Sequence, residues 1–229
     1  ITPLIIAGWP DKEKTKKFYP ISLRPQGVEI VRTWAFYTIY RSGVGLSGIK
    51  PWETILLNGN VLAPDGKKMS KSLGNIISPA DLLREYPTDA IRQWAAMSGA
   101  MAKDRPFSYE DLKFAKSFLT KVWNAARFVE TANGDYKKTQ VDFKALGVVD
   151  RWILSKVNKL IEESSVHFEN FEYHYATTKL HNFFWHDFCD NYLEYVKHRI
   201  YGEDAKTKHE AQFVLNYILL NSIKLKPPK

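Results

Sequence analysis

The sequence predicts an α/β segment followed by an all-α segment, and three observations predict it. Up to Phe107 the chain is cut into short pieces by Pro and Gly; beyond it, Pro is absent until Pro227. The charge changes at the same place: residues 1–106 carry 15 Lys/Arg and 9 Asp/Glu, and residues 107–229 carry 18 and 16. Finally, a helical period feeding a short apolar run in the first part points to a parallel sheet, whereas three-and-four spacing of apolar residues dominates the second part.

In the first part, residues 28–41 are expected to form a helix closed by Gly43. Thr54-Ile-Leu-Leu57 reads as a buried strand. Pro64-Asp65-Gly66 is turn chemistry, because Pro presets φ and Gly tolerates positive φ. Ser78-Pro79-Ala80-Asp81 reads as a helix start, with Ser78 as cap and Pro79 at the first helical position. Pro87 ends that helix, and Thr88-Asp89 begins another that runs to about Gly99.

The second part reads as four helices. Ser108 and Asp111 cap the first, whose apolar face is Leu112, Ala115, Phe118, Leu119, Val122, Ala126 and Val129, with Asn133-Gly134 as its stop. Asp150 precedes the second, which carries Ile153, Val157, Leu160, Ile161 and Phe168. The third covers 173–200 and is rich in aromatics, with Gly202 as its stop; the fourth covers about 206–225. Helices of this length bury a shared core as a bundle.

Composition removes several classes of function. Hydrophobic residues make up 45% and charged residues 25% of the 229, a globular profile. The formal net charge of +8 favours an anionic partner. The single cysteine, Cys189, excludes an internal disulfide and a multi-Cys zinc site. The six histidines lie in the helical part without the i, i+4 spacing of a helical zinc pair, so no metal site is expected. No apolar run reaches the roughly 20 residues that span a bilayer, and no leader is expected at the start, so the expectation is a cytoplasmic protein with no membrane partner. The opening at Ile1 and the closing Lys-Pro-Pro-Lys read as the ends of a fragment.

Chemistry concentrates in Asp65-Gly-Lys-Lys-Met-Ser-Lys-Ser-Leu-Gly-Asn75. Lys67, Lys68 and Lys71 share one loop with Ser70 and Ser72, and Gly74-Asn75 permits a second bend. Such a loop suits a polyphosphate, which ammonium groups neutralise and hydroxyls and amides hydrogen-bond. A solvated basic turn is the alternative reading. The Gly-rich lead-in of a Walker loop is missing.

Lys68-Met-Ser-Lys-Ser72, continued by Leu73-Gly74-Asn75, resembles the second signature of the class I aminoacyl-tRNA synthetases. Leu23-Arg-Pro-Gln-Gly-Val-Glu-Ile-Val-Arg-Thr-Trp34 resembles the active-site segment of the valine branch in its archaeal form. Ile55-Leu-Leu-Asn-Gly59 resembles the strand leading to the loop, and Asp89-Ala-Ile-Arg-Gln-Trp94 the helix after it. His181-Asn-Phe-Phe-Trp-His-Asp-Phe-Cys-Asp190 with Tyr192-Leu-Glu194 resembles the start of the anticodon-binding domain. Ile1-Thr-Pro-Leu4 resembles the point where the catalytic fold resumes after an editing insertion.

The resemblance implies the second half of a Rossmann-like nucleotide-binding domain and then an antiparallel helical bundle. Residues 1–65 correspond to the C-terminal half of the catalytic domain, 66–106 to the signature loop and connecting helices, and 107–229 to a truncated anticodon-binding domain. It implies ATP-dependent activation of valine and transfer to tRNA(Val), with ATP and Mg2+ as substrate and counter-ion. Lys68 and Lys71 would be catalytic, and Met69, Ser70, Ser72, Asn58 and Gly59 would complete the ATP site. Gly27, Glu29 and Trp34 would face the amino acid or adenylate; the family more often has Asp at the Glu29 position. Each of these last three has a plainer reading, as a turn, as a surface pair with Arg32, and as a core aromatic. The first class I signature, His-x-Gly-His, is absent from the 229 residues, so the chain alone is expected to be inactive. An isoleucine or leucine enzyme, or a non-catalytic RNA-binding derivative, are the alternatives.

Overall fold

A computed structural model describes residues 5–45, 48, 50–137 and 141–225. The chain divides into two compact units, Ile1–Ile76 with Gly99–Phe107, and Ile77–Ser98 with Ser108–Lys229. Ile1-Thr-Pro-Leu4 lies outside the described residues, as does the closing Lys-Pro-Pro-Lys.

The first unit is built on two parallel strands. Helix α1, Lys12–Lys16, is capped by Asp11, whose carboxylate accepts from the amides of Glu13 and Lys14. Strand β1, Ile21–Gly27, pairs with β2, Trp52–Asn58, from Ile21 opposite Trp52 to Gly27 opposite Asn58. Parallel pairing requires a crossover, and helical residues 28–45 supply it. This segment departs from the single helix expected over 28–41. It opens as a 3-10 turn, Val28–Ile30, and widens to π winding at Val31–Ala35. Helix α2, Phe36–Tyr40, follows, and π winding returns at Arg41–Gly45. Gly43 is therefore inside the helical path, and the left-handed glycine that follows is Gly48, at φ +77°. Strand β2 is longer than expected and largely accessible rather than buried; Trp52 is its buried residue, with the Arg24 guanidinium 4.8 Å above its ring.

Beyond β2 the chain doubles as a short parallel pair, β3 (Val61–Leu62) with β4 (Arg105–Pro106). The turn expected at Pro64-Asp65-Gly66 is present. Gly66 donates to the Ala63 carbonyl at 2.9 Å and sits at φ +78°, and Ala63 donates to the Lys67 carbonyl at 2.8 Å.

The second unit is helical. Helix α3, Pro79–Glu85, begins after Ser78, but the Ser78 side chain makes no capping bond; its backbone carbonyl accepts from Asp81 and Leu82 instead. Helix α4 is Thr88–Met97. Helix α5, Tyr109–Ala132, is capped as expected, with the Asp111 amide donating to Ser108 Oγ at 3.1 Å. Its buried positions are Leu112, Ala115, Phe118, Ala125, Val129 and Ala132, one helical face at three-and-four spacing, with Ala125 rather than Ala126 fully covered.

Helix α6, Val148–Glu169, starts two residues before Asp150, so Asp150 does not precede it but is a buried residue of its first turn. The aromatic helix keeps one path from 173 to 200 but changes winding. Helix α7, Tyr173–Asn182, passes into π winding at Phe183–Tyr192 and returns to α in α8, Leu193–Ile200. Asn191 Nδ2 donates to the His186 carbonyl at 2.8 Å, five residues back, which matches the wider turn. Helix α9, Ala205–Lys224, is capped by Asp204. Phe118, Ile153, Val157, Phe184, Phe188, Tyr192, Val214 and Ile218 belong to one hydrophobic core drawn from all four long helical paths.

Candidate active site

Register places the first group of predicted residues together. In a parallel sheet, the carboxyl ends of the strands open onto the crevice where ligands bind. Gly27 closes β1 beside Asn58, which closes β2, so the two residues are partners at that end. Glu29 begins the helical crossover, and its carboxylate folds back over Gly27: a Cβ on Gly27 would lie 2.7 Å from Glu29 Oε2. Among the described residues, Glu29 makes no ion pair with Arg32.

Gly59 has a backbone reason to be glycine. A Cβ there would lie 2.0 Å from the Lys103 carbonyl oxygen. Residues 102–107 run beside 57–62: Ala102 donates to Leu57, Arg105 to Asn60 and Phe107 to Leu62, at 2.9, 3.0 and 2.9 Å. Asp104 fixes this approach by accepting from both the backbone and the side-chain nitrogens of Asn60, at 2.6 and 3.2 Å. Neither Asn60 nor Asp104 was identifiable from sequence, since the bond joins residues 44 apart.

Trp34 lies on the crossover and is 62% exposed, so among the described residues it is not part of a core.

The second group forms the lysine loop, which β3 and the Gly66 turn deliver. The loop sorts its three lysines. Lys67 is tied to the turn: its amide donates to Asp65 Oδ1 at 3.1 Å, and its ammonium lies 3.6 Å from Asp65 Oδ2. Lys68 and Lys71 are exposed, and among the described residues neither ammonium has an ion-pair or hydrogen-bond partner. Met69 and Ser70 are half-buried. Ser70 Oγ accepts from the Leu73 amide at 3.3 Å and lies 3.1 Å from Ser72 Oγ. The arrangement offers two uncompensated cations and a hydroxyl pair on an ordered loop, a site for a polyanion.

In the helical unit the aromatics of the third helical path are mostly buried. Phe183, Phe184, Phe188 and Tyr192 are buried, Trp185 is half-buried, and Tyr195 is exposed. His181 is buried between the rings of Phe114 and Phe118, each centroid 4.5 Å away. His186 is exposed and lies 3.1 Å from Asp190. Arg199 is engaged inside the unit: it bonds buried Asp150 at 2.8 Å and faces Glu210 at 3.5 Å. Lys197 is engaged with Glu194 at 2.6 Å. Among the described residues, no group of three or more His, Cys, Asp or Glu is placed to hold a metal ion, and no helix is long and apolar enough to cross a membrane.

Two family models match the chain. Residues 1–108 match the class I tRNA synthetases for isoleucine, leucine, methionine and valine, and residues 150–228 match the anticodon-binding domain of tRNA ligases. Residues 1–108 thus belong to the class I tRNA synthetase family, and residues 150–228 to the anticodon-binding domain family of tRNA ligases. Its relatives include the valine–tRNA ligase of Methanococcus maripaludis, 43% identical over the whole chain and 26% of the relative. That of Archaeoglobus fulgidus is 46% identical over 96% of the chain and 25% of the relative. The chain thus spans about a quarter of the length of these relatives.

Among solved structures, Mycobacterium tuberculosis methionyl-tRNA synthetase in complex with methionyl-adenylate matches 98% of the chain and 45% of its own, at TM-score 0.77 and 20% identity. A ternary complex of Agrobacterium radiobacter K84 LeuRS with tRNA and LeuAMS matches 94% of the chain and 28% of its own, at TM-score 0.67 and 17% identity. These two establish a class I synthetase-like fold of mainly helical content.

Proposed function

We propose that the full-length protein containing this chain is a valine–tRNA ligase, which activates valine with ATP and transfers it to tRNA(Val) in the cytoplasm. The observation that carries the reading is the sorting of the loop, with Lys67 neutralised by Asp65 while Lys68 and Lys71 stand uncompensated. The names of the relatives supply the amino acid.

In this reading, residues 1–65 are the C-terminal half of a Rossmann-like catalytic domain and 66–106 carry the loop and connecting helices. Residues 107–229 are an antiparallel helical anticodon-binding domain. The valine carboxylate attacks the α-phosphorus of ATP, a new P–O bond forms, and the bond to the β-phosphate oxygen breaks to release pyrophosphate. The ammonium groups of Lys68 and Lys71 stabilise the charge that gathers on the phosphates, while Ser70 and Ser72 hold the loop's shape around Met69. Mg2+ enters with ATP as its counter-ion. Gly27 and Asn58-Gly59 offer backbone at the strand ends to the adenylate, Glu29 meets the ammonium or ribose, and Trp34 borders the valine side chain.

The test is valine-dependent exchange of pyrophosphate into ATP by the full-length protein, run with valine, isoleucine and leucine in parallel. Exchange fastest with valine, followed by charging of tRNA(Val), supports the reading. Exchange fastest with isoleucine or leucine replaces the amino acid, and no exchange with any of the three removes the activity. The isolated 229 residues, without the first class I signature, are expected to give none.

A further inference from the structure

Seven residues beyond Lys68, one side chain closes the lysine loop. Asn75 Oδ1 accepts from the Ser70 amide at 2.9 Å, and Asn75 Nδ2 donates to the Lys68 carbonyl at 3.2 Å. The two bonds bracket Met69 and grip the backbone on both sides of it. Gly74, at φ +64°, turns the chain back so that this reach is possible, and its amide donates to the Lys71 carbonyl at 3.2 Å. The Lys68 and Lys71 carbonyls and the Ser70 amide are therefore bonded inside the loop, and the two ammonium groups are left over.

Geometry of this kind has an electrostatic purpose. Two like charges three residues apart repel, and an open loop relaxes that repulsion by spreading. A primary amide is the side chain suited to hold it, because it presents a donor and an acceptor at once; a carboxylate lacks the donor. We propose that Asn75 is a positioning residue for activation, fixing the separation of Lys68 and Lys71 before the triphosphate arrives. In this role it acts through the two lysines, by way of the loop backbone it bonds. Preorganisation then appears in the chemical step, since misplacing a catalytic group by about 1 Å costs up to about a hundredfold in rate. The inference rests on the activation reading given above.

The experiment compares Asn75→Ala and Lys71→Ala in the full-length protein by pyrophosphate exchange, with thermal unfolding measured alongside. Asn75 is only half-buried in a surface loop, so folding is expected to survive its loss. The expected result is that Asn75→Ala lowers kcat between about tenfold and a hundredfold, leaves KM for valine within about twofold, and leaves the unfolding midpoint unchanged. If Lys71→Ala is crippled and Asn75→Ala exchanges at the normal rate, the positioning role is overturned and the activation reading stands. A parallel fall in unfolding midpoint and valine affinity in Asn75→Ala also overturns it, as the mark of a merely structural residue. Normal exchange by Lys71→Ala overturns the activation reading and this inference with it.

Discussion

Tyr192 donates its hydroxyl to Asp150 Oδ1 at 2.7 Å in the centre of the helical unit, across 42 residues of sequence and with neither residue exposed. Arg199 reaches the same oxygen at 2.8 Å. Burial, and then the neighbouring carboxylate, pushes the Tyr192 phenol far up, so it remains a donor throughout the working pH range. Removing one member of such a group strands the others. Asp150→Ala leaves Arg199 and Tyr192 without their common partner and is expected to destabilise the chain by about 3–5 kcal/mol. Tyr192→Phe removes a single charge-assisted bond and is expected to cost about 1.5–3 kcal/mol. Denaturant unfolding of the two variants checks the order; a Tyr192→Phe variant less stable than Asp150→Ala would contradict it.

His181 gives the helical unit a dependence on pH. Burial among aromatic rings, with smaller contributions from His186 and Lys121, lowers its proton affinity from the ordinary value of 6.5, and Asn182 acts the other way. The unfolded chain takes up this proton as pH falls through its ordinary value, while the folded chain resists it. The contribution to stability is therefore present above that value and lost below it. Between about pH 7.5 and 5.5 the unfolding midpoint of the unaltered chain is expected to fall further than that of His181→Phe, which cannot take up the proton. Parallel pH profiles for the two chains would contradict this.

Cys189 is expected to be inert. It is buried, and burial pushes its thiol up to about 12, so the thiolate that reacts with alkylating agents is scarce near neutrality. Iodoacetamide near pH 8 is expected to leave the folded chain unlabelled and to label it stoichiometrically in denaturant; fast labelling of the folded chain would contradict the packing.

Two glycines at the strand ends separate by what surrounds them. Gly59→Ala meets the Lys103 backbone and is expected to cost about 1–3 kcal/mol or more by overpacking. Gly27→Ala meets only the flexible end of Glu29 and is expected to leave the fold intact. Thermal unfolding of both distinguishes backbone packing at Gly59 from a purely ligand-facing role.

Much of this was legible in the sequence because it depends on local chemistry. The Ser108 cap, the Gly66 turn and the core face of α5 follow from residue type and spacing over a few positions. What escaped depends on distant partners. Asp150 reads as a residue just ahead of a helix, but it lies inside the first turn, and its partners Tyr192 and Arg199 lie more than 40 residues away. Gly43 looks like a stop because an isolated helix would end there, yet the chain passes it in a wider winding. The loop lysines were visible as a motif, but the amide that orders them was not, since Asn75 reads as one more turn residue until its two bonds are seen.

The account turns on Lys68 and Lys71. Substituting both by alanine in the full-length protein and measuring valine-dependent pyrophosphate exchange tests it most directly. The expected result is a fall of at least about a thousandfold in kcat/KM for ATP, with valine affinity little changed, as befits lost charge stabilisation on the phosphates. Exchange at the unaltered rate would show that the loop does not serve the triphosphate.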